Sequence, residues 1–103
     1  MKTMHAALAF AAILGNLSNA SAQPYPSRPI RLVVPSAPGG AFDFVSRIVA
    51  VPLSAALGQQ VIVDNRPGAD QTIGLDIAAK ADADGYTLVA VGDFVTVLPS
   101  LYR

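Results

Sequence analysis

The 103-residue chain contains no cysteine and no glutamate, and its single histidine is His5 near the amino terminus. Without cysteine the chain has no disulfide framework, no thiolate metal site and no cysteine for lipid attachment. The seven acidic side chains are all aspartates scattered singly along the sequence, the net charge is zero, and there is no basic patch. A nucleic-acid partner is therefore not expected.

The composition is that of one small domain. Hydrophobic residues make up 52% of the sequence and charged residues 14%, which is typical of a globular or exported protein rather than a disordered one. At 103 residues the chain can hold one such domain at most.

The amino terminus has the pattern of an export signal. A positive start is followed by an unbroken apolar run over residues 6–14 and by the small residues Ala20-Ser21-Ala22 that signal peptidase requires. A transmembrane helix is the alternative, but polar residues from Asn16 onward end the run far short of the roughly 20 apolar residues that cross a bilayer. We therefore predict a signal peptide over residues 1–22, a mature chain over residues 23–103 and a periplasmic location.

Residues 30–47 read as a strand, a tight turn and the start of a helix. Gly39 and Gly40 allow the positive φ angles and the close backbone approach that other residues resist. The helix start adds unpaired N–H groups and the positive end of a dipole, so the loop could bind a carboxylate or a phosphate. A plain strand-to-helix connection is the alternative. The loop lacks the glycine fingerprint and the Lys-Ser/Thr pair of nucleotide-binding loops.

The periodicity along the mature chain predicts alternating strands and helices. We expect Val45, Ile48 and Val49 of the first helix to pack on the sheet, and Pro52 to kink that helix. In the second helix we expect Thr72 at the N-cap and Ile73 in the buried stripe. The predicted elements are strand 30–34, a helix from Ala41 ended by a left-handed cap at Gly58, strand 61–63, helix 72–81 and strand 86–91.

This βαβαβ order predicts an α/β fold with a parallel sheet. Right-handed crossovers constrain the arrangement further, and if the first strand is central the two helices must cover opposite faces. Ligands of such sheets bind beyond the carboxyl ends of the strands, at the point where the strand order reverses. The glycine loop is expected at that point.

Several short motifs follow one another along the mature chain. They include Tyr25-Pro26-Ser27-Arg28-Pro29, Ala37-Pro38-Gly39-Gly40-Ala41, Val63-Asp64-Asn65-Arg66-Pro67-Gly68 and Asp84-Gly85-Tyr86-Thr87-Leu88. In this order they resemble the periplasmic substrate-binding proteins of tripartite tricarboxylate transporters, the Bug-type receptors. The resemblance implies two α/β lobes that close on a small organic carboxylate, and delivery of this solute to the membrane components of a transporter.

The resemblance also implies a site. In the family, the loop and helix start after the first strand hold a ligand carboxylate through backbone amides and water, which implicates Pro38, Gly39, Gly40, Ala41 and Asp43. Asp43 is expected to position water and loop amides, or only to cap the helix, because like charges repel. No catalytic residue, cofactor or metal is expected, and the chain should be a monomer if it folds.

Some residues depart from the family pattern. Ser36 stands where an aromatic is usual, Phe42 where a small hydroxyl residue is usual, and Asp70-Gln71 where a glycine-rich pair is usual. The resemblance further implies that residues 23–103 form the amino-terminal part of lobe one. We therefore expect this chain alone to show weak or no ligand binding and to aggregate or be degraded, with its third strand prone to aggregation.

Two other functions remain open from the sequence. A non-functional truncated remnant would carry the same residues. A small α/β phosphate-handling enzyme is disfavoured, because the mature chain has no histidine, cysteine, glutamate or tyrosine beside the glycine loop to serve as base or nucleophile.

Export should remove the leader between Ala22 and Gln23, since the small residues before this bond fit signal peptidase. Intact-mass measurement of periplasmic protein should give a chain that starts at Gln23. A periplasmic species that still starts at Met1 would contradict the prediction.

Overall fold

The computed structural model describes residues 21–101. The predicted leader lies outside these residues except for its last two, so its cleavage and the domain boundary stay predictions. Short 3₁₀ turns at Ala69–Gln71 and Asp93–Thr96 precede the second and third helices. The elements are β1 (Ile30–Val34), α1 (Ala41–Leu57), β2 (Val61–Asn65), α2 (Thr72–Ala79), β3 (Thr87–Val89) and α3 (Leu98–Leu101).

β1 is the central strand of a three-stranded parallel sheet in the order β2-β1-β3. In the register of the sheet, Ile30 is opposite Val61, and Arg31 is opposite Thr87. Parallel neighbours require crossover connections, and α1 and α2 supply them. The predicted α/β class and parallel sheet are confirmed, and the first strand is the central one.

The two helices cover opposite faces of the sheet, as predicted. The even-numbered residues of β1 pack with Ala50 of α1 in the buried core. Pro35, an odd-numbered position just past β1, points to the other face. There Gly74 of α2 lies so close that an added Cβ would be 2.7 Å from Pro35 Cβ. This placement brings the amino termini of both helices to the carboxyl edge of the sheet.

The side of α1 that packs on the sheet is opposite to the predicted side. The buried residues are Asp43, Ser46 and Ala50, spaced three and four apart. Polar side chains are tolerated there because the Asp43 carboxylate is hydrogen-bonded and Ser46 Oγ donates to a carbonyl of its own helix. Ala50 is small, so the helix can approach β1 closely. The side chains predicted to face the sheet are more than half exposed: Val45, Ile48 and Val49.

α1 is one continuous helix through Pro52. Gly58 ends it with φ of 68° and donates its N–H to Ser54 O at 3.0 Å. The left-handed cap is confirmed, and the kink at Pro52 stays a prediction. None of the helices within residues 21–101 has the length and apolar character needed to cross a bilayer.

Several boundaries differ from the prediction. β2 continues to Asn65, which pairs with Val34, and β3 is limited to Thr87–Val89. Thr72 lies inside α2 rather than at its N-cap. Ile73, predicted to be in the buried stripe, is 46% exposed. The strand boundaries differ because backbone pairing with β1 decides how far a strand extends.

The proline-rich lead-in is fixed to the turn before β3. Tyr25 Oη donates to Gly85 O at 2.6 Å, and the ring meets Tyr86 edge-on at 5.2 Å. The Arg28 guanidinium lies 4.1 Å over the Tyr86 ring and pairs with Asp84 at 2.9 Å. The start of β1 is therefore anchored at the amino-terminal edge of the sheet.

Gly74→Ala should destabilise the protein, because the new Cβ would meet Pro35 Cβ at 2.7 Å and Arg66 O at 3.0 Å. Overpacking of this kind costs about 1 to 3 kcal/mol, which exceeds the gain of less than about 1 kcal/mol from the better helix former. Urea unfolding measures the change. Ala79→Ser on the exposed side of the same helix is the control and should change the free energy of unfolding by less than about 0.5 kcal/mol. Equal stability of the Gly74 variant and the parent would contradict the close packing.

Candidate ligand-binding site

The loop between β1 and α1 contains two glycines in different conformations. Gly39 has φ of 84°, in the left-handed region that favours glycine. Gly40 has φ of −75° and ψ of 169°, which any residue can adopt. A Cβ on Gly40 would only touch Ala37 O at 3.6 Å. The turn therefore requires Gly39, whereas the missing side chain at Gly40 leaves the start of α1 uncovered.

The start of α1 has no side-chain cap within the part of the chain that the structure describes. Gly40 occupies the N-cap position and has no oxygen to offer the first turn. The N–H groups of the first turn, including that of Ala41, have no acceptor within the helix. Residues 37–41 are exposed, so Gly40 and Ala41 lie at the surface beside the positive end of a 17-residue helix.

Not every predicted site residue can donate a hydrogen bond to a ligand. Pro38 has no N–H. The N–H of Gly39 already donates to Asp43 Oδ2 at 2.9 Å. Asp43 is buried, so within the predicted set Gly40 and Ala41 are the exposed residues whose amides suit an anion.

The Asp43 carboxylate ties the loop to the helix and to β2. It accepts hydrogen bonds from Gly39 N, from Arg47 Nε at 3.0 Å and from Asn65 Nδ2 at 2.9 Å. Asn65 Nδ2 also donates to Ser36 O at 3.1 Å. Asp43 is only 4% exposed. The Arg47 guanidinium lies one helical turn later and pairs with it, and the buried carboxylate is suited to hold the loop rather than to contact a ligand.

These partners also keep the carboxylate ionised. The hydrogen bond from Arg47, followed by those from Gly39 and Asn65, lowers the pKa of Asp43 from 3.8 to about 2, against an opposing effect of burial. Asp43 is therefore negatively charged at any physiological pH, and the charge is neutralised locally by the guanidinium of Arg47.

Asn65 was missed as a site residue, because the second strand was predicted to end at Val63. In the structure it ends β2, beside the end of β1. The signal that could have found it is its place after an apolar run that pairs with β1, since carboxyl ends of parallel strands meet at one edge. Ser36 adds a buried hydroxyl that has no hydrogen-bond partner within residues 21–101.

A strained segment follows β2 at the same edge. Ala69, Asp70 and Gln71 have φ of 45°, 51° and 72°, although none of them is glycine. Such angles are costly for ordinary residues and tend to occur near ligand sites. Asp70 and Gln71, which stand where a glycine-rich pair is usual, therefore have backbone angles that favour glycine.

Two other kinds of site have less support. A polar depression of about 410 Å³ at the amino-terminal edge is lined by Arg28, Arg31 and Lys80, among others. Each of these cations is already paired with an aspartate, which reduces its attraction for an anion. Within residues 21–101 no group of acidic or histidine side chains could hold a metal ion.

Comparison with known families agrees with this architecture. Residues 45–103 match the family model described as the tripartite tricarboxylate transporter family receptor. The match covers more than half of the chain, and the chain therefore belongs to this receptor family. The resemblance noted from the motifs is confirmed.

Individual relatives support the assignment. Protein BugT of Bordetella pertussis is 49% identical over 80 residues, a span that covers 78% of this chain and 24% of BugT. The solved structure of periplasmic binding protein BugD matches with a TM-score of 0.62 and 45% identity, over 63% of this chain and 22% of BugD. An R. palustris protein solved with adipate gives a TM-score of 0.62 and 41% identity, over 64% and 22% of the two chains.

The coverage of these matches is unequal. They extend over most of this chain. The chain itself spans only about a quarter of the length of relatives such as BugT. Their shared fold is the sheet and helices described above.

Acid should weaken the contribution of Asp43 to stability. A pKa that is lower in the folded state means that the stabilisation is present above the unfolded value of 3.8 and is lost as the pH falls towards about 2. Asp43→Asn should remove this part of the pH dependence and lower the free energy of unfolding at pH 6, because an amide NH₂ would oppose one of the donors. Chemical unfolding from pH 6 down to pH 2 measures both effects.

Asp76→Asn is the control for this test. Asp76 forms an exposed ion pair with Lys80 on α2, and such pairs contribute little. It should leave the unfolding curve at pH 6 nearly unchanged. If Asp43→Asn behaves like this control, the carboxylate does not hold the loop.

Proposed function

We propose that the protein takes part in solute uptake as a periplasmic receptor that binds a small organic carboxylate for a tripartite tricarboxylate transporter. The observation that carries the proposal is the uncapped start of α1, where Gly40 and Ala41 are exposed at the carboxyl edge of a parallel sheet. Membership of the receptor family supports the same function.

The chemistry of the loop favours a carboxylate ligand. Backbone N–H groups and the helix dipole attract an anion without requiring a cationic side chain. The adipate bound to the R. palustris protein is a small dicarboxylate and makes this ligand class a reasonable choice here. We assign Gly40 and Ala41 to direct hydrogen bonds with a carboxylate, and Pro38, Gly39 and Asp43 to shaping and fixing the loop.

We propose that the protein binds its solute without converting it chemically. Asp43 is the titratable side chain nearest the loop amides in sequence, and its carboxylate is already engaged by three donors. An acid or base must exchange protons with a substrate in order to act. A carboxylate with a pKa of about 2, held by an arginine and two further donors, is poorly suited to that task.

We place residues 23–103 in the first of two lobes that would close on the ligand, and we propose that the folded chain is a monomer. Closure supplies much of the grip in two-lobed receptors. The loop of one lobe should therefore bind a carboxylate weakly, in the millimolar range.

Amide NMR of the mature chain titrated with adipate tests the assignment. Adipate should shift the Gly40 and Ala41 amide signals progressively. Gly40→Val should abolish these shifts, because its side chain would cover the amides while its backbone angles remain acceptable. Ala56→Val, at the far end of the same helix, is the control and should leave the titration unchanged. Shifts that persist in Gly40→Val, or that centre elsewhere, would contradict the site.

A further inference from the structure

The side chain of Phe42 lies beside the proposed anion site. Phe42 is the second residue of α1 and directly follows Ala41. Its side chain is partly buried and packs against the hydrophobic core. The ring also reaches the segment after β3, where a Cβ on Gly92 would lie 3.7 Å from Phe42 Cε2. An apolar surface therefore adjoins the exposed residues at the start of the helix.

This apolar surface continues beyond the ring. Phe42 lines an apolar depression of about 420 Å³ between α1 and β3, together with Val45 on the helix and with Ala90 and Val91 just past the strand. Val45 and Val91 are 57% and 50% exposed. The start of α1 and the end of β3 both lie at the carboxyl edge of the sheet. This end of the depression is therefore at the same edge as the glycine loop.

A second carboxylate on a ligand would find no unpaired cation among residues 21–101. Every arginine and lysine in this part of the chain forms an ion pair with an aspartate. Arg47, one turn along α1, is held by Asp43. Asp93, an exposed residue after β3, adds a negative charge to the edge. Because like charges repel, this edge suits a ligand with a single carboxylate.

We propose that the carboxylate bound at Gly40 and Ala41 belongs to a monocarboxylate with an apolar body, such as a short alkanoate, and that this body lies against the Phe42 ring. The inference rests on the proposed function, since the helix start must first bind a carboxylate. Phe42 is then a specificity-determining residue. Contact between the apolar body and the partly exposed ring removes both surfaces from water, and binding tightens with the area buried.

A dicarboxylate of the same length fits this surface less well. With one carboxylate at the helix start, its second charged group would have to lie on or beside apolar side chains. Removing a charged group from water without a compensating partner is unfavourable. A dicarboxylate such as adipate is therefore expected to bind through one end only, with its other end in solvent.

Amide NMR of the mature chain with hexanoate and adipate tests the proposal. The two acids have the same unbranched carbon chain, but hexanoate ends in a methyl group where adipate has its second carboxylate. Both should shift the Gly40 and Ala41 signals. Hexanoate should also shift the Gly92 signal, and its Kd should be lower by about fivefold or more. Butanoate should bind more weakly than hexanoate, by up to about fourfold for each CH₂ group that it lacks.

Phe42→Ser should weaken hexanoate binding to the level of adipate, because the apolar surface is lost while the amides remain. Phe44→Ser is the matched control. Phe44 lies two residues away on α1, is 65% exposed and lies outside the depression. This variant should keep the preference for hexanoate. In the unmodified chain, NOE contacts between the hexanoate methyl group and the Phe42 ring should locate the apolar body without any substitution.

Three results would overturn this inference and leave the proposed function intact. One is adipate binding at Gly40 and Ala41 as tightly as hexanoate. Another is a preference for hexanoate that persists in Phe42→Ser or is lost equally in Phe44→Ser. The third is a set of NOE contacts from hexanoate that omits the Phe42 ring. If neither acid shifts the Gly40 and Ala41 amide signals, the proposed function itself fails, and this inference fails with it.

Discussion

The candidate site depends on the ionised carboxylate of Asp43. Its three donors come from the loop, from the next turn of α1 and from the end of β2, through Gly39, Arg47 and Asn65. A buried charge is tolerated only when it is paired and hydrogen-bonded, and here each partner is also held in place by the charge. The loop is therefore fixed by this network, which under the proposed function would reduce the entropy cost of binding a carboxylate.

The same interaction accounts for the orientation of α1. With Asp43 turned towards β2 and the loop, the residues three and seven positions later, Ser46 and Ala50, must face the sheet. The valines on the other side are then left outside. The anchored loop and the exposed valines of α1 are thus two consequences of one orientation of the helix.

Much of the site could be predicted from the sequence. Gly39 at positive φ, the i to i+4 pair of Asp43 and Arg47, and the uncapped helix start all follow from local chemistry. Asn65 could not be assigned in this way, because its role requires β2 to lie next to β1 and to extend beyond the predicted strand. The sequence also could not show that the Gly39 amide is unavailable to a ligand, because this depends on the direction of the Asp43 side chain.

The sequence by itself determined the order of strands and helices, the turn at Gly39 and the end of α1 at Gly58, because these depend on short-range backbone preferences. It also determined the parallel sheet, since short strands separated by helices have few other arrangements. Only the tertiary structure decided which side of α1 is buried. An apolar stripe favours burial of its side of a helix, but it does not show what that side packs against. In α1 the hydrogen bonds of the Asp43 carboxylate favour burial of the other side.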